Sequence, residues 1–328
     1  MDPGNRRSVN KARLLSALRS APASASALSE SLGISSEEVM SILREEDAVE
    51  EKDGLFSIRG EAGRVFSAEL RRGSLALALS DLSGRTLRYE RLPRKEGWES
   101  LLMSTVEKMK ADGKVYGGVV SSSAKEDMPA LEGFPVLYLP PSVIEARSEL
   151  MRRGPLPGCL FISWSESFDA SFMTARDLQH LPTFGHIRAA REGKCQCGAT
   201  GCLDAVASVR FLRERTGEWS TKALYKETPA LKAALNALSY AIAVSAQVLG
   251  AESVVITGDM SQLPDAAYSY MEDRLRASLP PGRSVPVRRS MAGDKGSQEG
   301  AAASALDAFF YHTELLGQLS AIESHSWL

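Results

Sequence analysis

Three of the four cysteines in this 328-residue chain lie within eight residues of one another, at Cys195, Cys197 and Cys202. A histidine, His186, stands nine positions before the first of them. One imidazole and three thiolates make a Cys3His ligand set, which is typical of a closed, four-coordinate structural Zn2+ site. Soft thiolate ligands favour zinc, with iron as the second choice. We therefore expect one zinc ion per chain.

The same cysteines allow other interpretations. They could be free thiols, or one disulfide with a spare thiol. A Cys-x-Cys spacing makes a poor disulfide because its two sulfurs rarely meet. Three cysteines are an odd number for a disulfide framework, and no secretion signal precedes them. Two glycines favour the metal, since Gly198 and Gly201 let the backbone turn tightly between Cys197 and Cys202. Cys159 stands alone in an apolar run.

This segment resembles the signature of the ROK family (repressors, open reading frames and sugar kinases). In that signature Glu-x-Gly-His is followed by Cys-x-Cys-Gly-x-x-Gly-Cys-x-Glu. The matching positions here are Gly185, His186, Cys195, Cys197, Gly198, Gly201 and Cys202. Two positions depart from it, because Thr183 and Asp204 stand where the family has glutamates. The resemblance implies that these two residues line a site for sugar hydroxyls, and they are our candidate ligand-binding residues.

Composition excludes several classes of protein. The net charge of −2 argues against a protein that binds polyanions through its bulk charge. No run of eighteen apolar residues is present, so we expect no membrane span. The N-terminus lacks the apolar core of a signal peptide. Reduced cysteines and a zinc site predict a cytoplasmic protein.

The first part of the chain, residues 1–62, predicts a winged helix-turn-helix domain. Apolar residues recur at helical spacing from Val9 to Leu18, and a second helix is predicted from Ala25 to Leu32, where Gly33 ends it. Ser35 with Glu38 three positions later forms a capping box for a third helix. A hairpin around Asp53-Gly54 would follow. This order also resembles the N-terminal domain of ROK repressors, in which the third helix enters the DNA major groove.

The predicted DNA-binding residues fall into two groups. Four are basic residues near the N-terminus, and two are serines that open the third helix: Arg6, Arg7, Lys11, Arg13, Ser35 and Ser36. The segment from Glu30 to Asp53 has nine acidic residues against two basic ones, a net charge of −7. Phosphate neutralisation by cations supplies most non-specific affinity for DNA. A stable, capped helix that touches DNA little is therefore the alternative, as is a three-helix unit used for protein contacts.

Residues 63–328 predict an α/β domain that resembles the two-lobed actin-like ATPase fold of ROK proteins, with lobes at about 63–140 and 141–328. The first lobe opens with three strands joined by tight turns, including Asp81 to Gly84. In the second lobe, strands from Leu160, Ser253 and Val285 alternate with helices, which predicts a mainly parallel sheet. A closing helix is predicted from Gly300 to His312.

The motifs of a sugar kinase are missing, so we predict no catalytic residue and no enzymatic activity. The kinases hold ATP phosphates on glycine-rich turns, because only glycine allows that close approach. The corresponding stretch here, Ser165 to Ser171, has no glycine and carries two carboxylates. Where the kinases have a catalytic Asn-Asp, this chain has Pro140 to Glu145. Only Thr257-Gly258 has the form of a nucleotide-contacting turn.

Two functions agree with these observations. The first is a ROK-type transcriptional regulator that binds operator DNA, carries zinc, responds to a sugar-like effector and assembles as a homodimer or a dimer of dimers. The second is a regulator-derived interaction or scaffold protein that no longer binds DNA or sugar. The acidic third helix and the altered sugar positions favour the second.

Overall fold

A computed structural model describes residues 3–19, 21–71, 74–93, 98–110, 113–122, 135–175, 177–293 and 296–311. Two units make up the chain. The first contains the described residues of Met1–Ser121, Asp127–Tyr138 and Ala301–Leu328. The second contains those of Ser122–Glu126 and Leu139–Gly300. The last described residues therefore belong to the same unit as the first ones.

The first unit begins with a winged helix-turn-helix. Its elements are α1 (Pro3–Leu18), β1 (Ala23–Ser24), α2 (Ala25–Leu32), α3 (Ser36–Arg44), β2 (Val49–Lys52) and β3 (Leu55–Ile58), and the strands form a sheet in the order β1-β3-β2. The predicted order of helices and hairpin is confirmed. Helix α1 contains the apolar pattern from Val9 to Leu18 and begins before it, at Pro3. A proline is tolerated in the first turn, where its missing N–H would have no helical partner.

Local signals explain where these helices begin and end. The Ser24 hydroxyl accepts a hydrogen bond from the Ala27 amide at the start of α2, and Gly33 ends that helix with a φ of 65°. The apolar face of α3 is buried as the sequence predicts. It packs with α1, α2 and β3 around one core, which includes Leu14, Leu18, Leu28, Val39, Ile42, Leu43 and Phe56.

The rest of the first unit is built on a five-stranded sheet. Its elements are β4 (Arg64–Arg71), β5 (Ser74–Asp81), β6 (Thr86–Pro93), α4 (Trp98–Lys110), β7 (Val115–Ser122) and β8 (Val136–Tyr138). The strand order is β6-β5-β4-β7-β8. Strands β4, β5 and β6 pair antiparallel with one another, whereas β7 and β8 pair in parallel.

The second unit has its own five-stranded sheet, ordered β11-β10-β9-β12-β13. Its elements are α5 (Pro141–Arg153), β9 (Cys159–Trp164), β10 (Phe168–Met173), β11 (Leu178–His180), α6 (Leu203–Ala207), α7 (Val209–Thr216), α8 (Thr221–Leu224), α9 (Pro229–Leu249), β12 (Ser253–Thr257), α10 (Asp265–Ser278) and β13 (Val287–Arg289). Helix α11 (Gly296–Leu306) follows. In both sheets the third, second, first, fourth and fifth strands lie side by side in that order. None of the helices in the described ranges is long and apolar enough to cross a membrane.

Three details of the second half differ from the sequence predictions. Its sheet is mixed rather than mainly parallel, because β9 pairs antiparallel with β10 and only β12 and β13 continue in parallel. The three residues between β9 and β10 are too few for a parallel crossover. The edge strand begins at Val287 rather than Val285, since the intervening Pro286 has no N–H to donate.

The third difference concerns the closing helix. It begins at Gly296, before the predicted Gly300, and its last turn, Asp307–Tyr311, is π-helical. His312, the predicted end, lies outside the described residues. The glycine that looks like a helix start has a packing role. A Cβ at Gly300 would collide with the main-chain carbonyl of Ile144 on α5, so only glycine allows this close approach.

Candidate metal centre

The four candidate metal ligands come from two segments that pair through the backbone. A short 3-10 turn, Phe184–His186, presents the histidine, and the loop before α6 presents the cysteines. The Leu203 amide donates to the Ile187 carbonyl at 2.9 Å, which fixes the two segments side by side. A Cβ at Gly201, whose φ is 81°, would collide with the Ala190 carbonyl. The loop therefore needs glycine at this position.

The ligand atoms are close enough to share one cation. The relevant atoms of His186, Cys195, Cys197 and Cys202, hereafter the Cys3His cluster, all lie within 4.8 Å of one another. The His186 Nδ1 is 3.7 Å from the Cys195 Sγ, and the Sγ atoms of Cys197 and Cys202 are also 3.7 Å apart. Tetrahedral zinc with Zn–S bonds of about 2.3 Å requires sulfur atoms about 3.8 Å apart. The residues fit zinc, which supports the expected cofactor.

Burial divides the cluster into two halves. Cys195 and Cys202 are buried, whereas Cys197 and His186 are exposed. The remaining cysteine, Cys159, is fully buried in β9, and this burial raises the pKa of its thiol to about 11. Cys159 is therefore a core residue and contributes nothing to the cluster, as its isolation in the sequence predicts.

This loop and its surroundings match a known family. A sequence profile of the ROK family matches residues 180–308, a range that contains the whole Cys3His cluster. The matched residues resemble a ROK family domain. The resemblance seen in the sequence signature is thereby confirmed. Among curated protein sequences, none matches the chain significantly.

Solved structures of ROK proteins share the fold. A ROK family transcriptional regulator, a homologue of the E. coli MLC protein, superposes with a TM-score of 0.75 over 96% of this chain and 99% of its own, at 18% identity. The ROK hexokinase from Thermus thermophilus gives 0.58 over 73% of this chain and 97% of its own, at 21% identity. A ROK glucokinase from Streptomyces griseus, crystallised with glucose and AMPPNP, gives 0.57 over 74% and 98%, at 17% identity. The predicted fold is confirmed.

The two candidate sugar-binding positions lie close in sequence to ligands of the Cys3His cluster. Thr183 is exposed and its carbonyl accepts the His186 amide. Asp204 is buried in the first turn of α6, and its Oδ1 accepts the Phe168 amide at 2.6 Å. Burial raises the pKa of Asp204 to about 6. Its carboxylate lies against Gly185, so the segment that carries Thr183 passes beside Asp204. One of the two carboxylate oxygens is thus already used within the domain.

A third polar group in the second unit was missed at the sequence level. Asp169 on β10 accepts the Ser142 amide at the start of α5, at 2.9 Å, and its other oxygen is 2.7 Å from the His180 Nε2. An isolated Asp and His gave no motif in the sequence, and the antiparallel pairing of β10 with β11 brings them together.

The two turns that the resemblance relates to nucleotide binding in ROK kinases are each contacted by a carboxylate or contain one. The buried carboxylate of Glu145 on α5 accepts the Thr257 hydroxyl at 2.6 Å and the Ser297 hydroxyl at 3.1 Å. The turn Thr257-Gly258 therefore faces an acid. Glu166, in the glycine-free turn between β9 and β10, forms an ion pair with Arg213. The buried carboxylate of Glu145 disfavours a phosphate at the Thr257-Gly258 turn, and the turn that carries Glu166 offers no glycine for close approach to one.

The predicted DNA-binding cations lie on α1, and three of them contact acceptors within the domain. Arg7 donates to Glu45 at 2.7 Å and to Ser41 at 3.1 Å. Lys11 forms an ion pair with the buried Glu46. Arg13 donates to the carbonyl of Leu32, at the end of α2, at 2.7 Å. The side chain of Arg6 lies outside the described residues. Helix α1 is thus linked to the C-terminal end of α3 by Glu45 and Glu46.

The two predicted serines open α3. The Ser35 hydroxyl accepts the Glu38 amide at 3.2 Å and so caps the helix, and Ser36 is the exposed first residue. The carboxylate of Glu38 does not complete the predicted capping box, because it accepts a hydrogen bond from Asn10 on α1 at 2.8 Å. One of the acids that was expected to repel DNA therefore links two helices.

Proposed function

We propose that this chain is a ROK-type transcriptional regulator, which binds DNA through its winged helix-turn-helix and uses its ROK domain as a non-catalytic effector module. The supporting observation is the extent of the structural match. The regulator covers 96% of this chain, whereas the two kinases cover 73% and 74%. About a quarter of this chain therefore has no counterpart in the two kinases. The N-terminal residues of this chain form a winged helix-turn-helix. A cytoplasmic location is part of this proposal.

In this proposal zinc has a structural role. His186, Cys195, Cys197 and Cys202 would hold it and leave no ligand position for a substrate, as in closed zinc sites. The cation would fix the loop before α6 and, through it, the position of Asp204. Asp204 and Thr183 would then face a hydroxylated small molecule. Glucose is bound in one ROK kinase and sucrose in another ROK protein. A thermal-shift screen of sugars and amino sugars tests this effector role.

The proposal excludes sugar kinase activity. The Thr257-Gly258 turn faces the Glu145 carboxylate, and the turn that carries Glu166 has no glycine. Pro141 and Ser142, at the start of α5, offer no carboxylate as a general base. We expect no ATP-dependent phosphorylation of glucose, mannose or N-acetylmannosamine. Sugar phosphate formed faster than about 0.1 per second, which is far below usual turnover, would contradict the proposal.

DNA binding is tested at the exposed start of α3. The N-terminal residues of a recognition helix contact base edges, so we expect Ser36→Glu to weaken operator binding by at least about tenfold. An acid is favourable in the first turn of a helix, and the substitution leaves the Ser35 cap intact, so α3 should still form. The matched control is Ser220→Glu, an exposed serine at the start of α8 in the second unit. Binding is measured by fluorescence anisotropy on promoter fragments.

The ion pairs of the first unit favour one alternative, an interaction or scaffold protein that does not bind DNA. Arg7 and Lys11 are neutralised by Glu45 and Glu46, which reduces the positive charge that α1 can offer to phosphate. This alternative predicts no binding to genomic fragments even at low salt. Enrichment of specific fragments from a genomic library by the intact chain would exclude it.

A further inference from the structure

One side of the Cys3His cluster is exposed. Cys197 and His186 are exposed, whereas the Cys202 side chain retains only 2% of its accessible surface. Thiolates are oxidised according to their exposure and their distance from a second thiol. Cys197 meets both conditions, because the residue is exposed and its Sγ lies 3.7 Å from the Cys202 Sγ. An exposed sulfur beside a buried partner is the arrangement of an attacking and a resolving cysteine.

We propose that Cys197 and Cys202 form a peroxide-sensitive pair that oxidises to an intramolecular disulfide and so releases the metal. The inference rests on the zinc site of the proposed function and adds a modification site to it. The small oxidant that fits is hydrogen peroxide, since it can reach the exposed Cys197 without entering the core.

The chemistry balances with one equivalent of peroxide. The Cys197 sulfur attacks one peroxide oxygen and the O–O bond breaks, so that a sulfenic acid forms and hydroxide leaves as the first water after protonation. The Cys202 sulfur then attacks the Cys197 sulfur, the S–O bond breaks, and hydroxide leaves as water after protonation. In sum, two thiolates, one hydrogen peroxide and two protons give one disulfide and two waters. The two sulfurs lose two electrons, and the peroxide gains them. Two of the four metal ligands are then lost.

Loop geometry favours this pair over the other combinations. Cys195 and Cys197 are separated by a single residue, which is a poor spacing for a disulfide. The segment between Cys197 and Cys202 contains Gly198 and Gly201, both in the left-handed region with φ values of 89° and 81°. Glycines adjust to such conformations without steric cost, so the loop can close the sulfur atoms from 3.7 Å to about 2.05 Å.

The change would reach the candidate effector site. Cys202 is the N-cap residue of α6, and Asp204, two positions later, holds the amide of Phe168. The cysteine that would be withdrawn from the metal thus stands at the start of the helix that positions Asp204. We expect oxidation to loosen this helix and to lower the melting temperature of the second unit.

The test uses the full chain purified with its zinc and titrated with hydrogen peroxide. Zinc release is followed with a colorimetric indicator, and disulfides are mapped by mass spectrometry of non-reduced peptides. We expect one zinc ion released for each Cys197–Cys202 disulfide, with zinc uptake restored by dithiothreitol. The control variant Cys159→Ser should behave like the wild type, because Cys159 is buried and its thiol is held in the protonated form.

The outcomes are distinct. Retention of zinc at a tenfold excess of peroxide would overturn the inference, as would a disulfide that links Cys195 or Cys159, or one that joins two chains. A protein that contains no zinc as purified would contradict the metal part of the proposed function. In that case the mapped Cys197–Cys202 disulfide still decides the inference on the cysteine pair. In Cys197→Ser, checked for folding by circular dichroism, no intramolecular disulfide at Cys202 should form.

Discussion

At the scale of single residues, the environment of each cysteine separates its role from that of the others. Cys202 is buried yet lies beside Cys197, whereas Cys159 is packed among apolar residues of the second unit, such as Phe161 and Val255. The same thiol group is therefore a candidate ligand at one position and a core side chain at the other. The neighbouring residues, rather than the residue type, determine which of these two roles a cysteine has.

Replacement of a cysteine should reduce zinc binding and stability when that cysteine belongs to the Cys3His cluster, but should leave zinc binding unchanged when it does not. We expect Cys202→Ser to abolish stoichiometric zinc binding and to lower the melting temperature by roughly 4 °C or more, since 1 kcal/mol is worth about 2–4 °C in domains of this size. Metal content by mass spectrometry and a calorimetric scan check this. Cys159→Ser is the control and should keep its full zinc content. Equal zinc in both variants would rule out the cluster as the metal site.

Asp81 shows how a buried carboxylate stabilises a turn. Its Oδ1 accepts the amides of Ser83 and Arg85 at 3.0 Å each and the Ser83 hydroxyl at 2.6 Å. Burial alone would raise the pKa of Asp81, but the hydrogen bonds from Ser83 and Arg85 outweigh it and hold the pKa below its ordinary value. The folded state thus favours the ionised carboxylate. This contribution to stability is present above the unfolded pKa of about 3.9 and is lost as the pH falls through the lower folded value.

We expect Asp81→Asn to reduce the free energy of unfolding by about 1–3 kcal/mol at pH 7, because hydrogen bonds to a charged acceptor are stronger than neutral ones. The difference between variant and wild type should shrink as the pH drops below about 4. Urea unfolding at several pH values measures it. Asp273→Asn, at an exposed position on α10, should show no such difference. A pH-independent loss in Asp81→Asn would mean that the charge is irrelevant.

At the scale of secondary-structure elements, the charges of α1 and α3 stabilise the domain before they can act on a partner. Arg7 and Lys11 of α1 are paired with Glu45 and Glu46, which follow α3. The Arg7 guanidinium lowers the pKa of Glu45 through a direct hydrogen bond. The acids that argue against DNA binding in the sequence are therefore partly used as helix-to-helix links.

If the chain binds DNA as proposed, release of Arg7 should strengthen the electrostatic part of binding. We expect Glu45→Gln to raise non-specific affinity at low salt and to steepen the slope of log affinity against log salt by about 0.9, the value for one phosphate contact. Glu218→Gln makes the same charge change at an exposed position of the second unit and should leave the slope unchanged. An identical slope in wild type and Glu45→Gln would show that Arg7 does not reach phosphate.

At the scale of the whole molecule, the last described residues belong to the same unit as the first described ones. The Arg19 guanidinium, which follows α1, forms an ion pair with the buried Asp307 in the π-helical turn and lies over the ring of Tyr311. The Tyr311 hydroxyl donates to the Leu82 carbonyl, in the turn that Asp81 stabilises. The helix-turn-helix is thereby joined within the first unit to the last described residues and to the first sheet.

One winged helix-turn-helix reads one half-site, so a regulator of this kind needs a second copy. We expect a homodimer or a dimer of dimers, with a mass of at least twice the 35.4 kDa of one chain, assembled through the ROK domain. Multi-angle light scattering at micromolar concentration and in both low and high salt measures the mass. A single monomeric species under all of these conditions would sink the prediction.

Short-range signals in the sequence determined much of this protein. The Cys3His set, the caps of α2 and α3, and the turn at Asp81 all depend on residues within about twenty positions of each other, so spacing alone specifies them. The residues that resemble the family signature, Gly185 to Cys202, lie in the same part of the sequence. Strand pairing over residues 159–173 was not foreseen, because a glycine-free turn gave no hairpin signal.

Only the tertiary structure determined which partner each charged side chain contacts. Glu45 meets Arg7 across 38 positions, Glu145 meets Thr257 across 112, and Arg19 meets Asp307 across 288. Composition alone tells only that charged residues are present. Packing brings each of these carboxylates to an opposite charge or to a hydroxyl. Because a carboxylate that is already paired neither repels DNA strongly nor remains available to a ligand, its function depends on the partner that folding supplies.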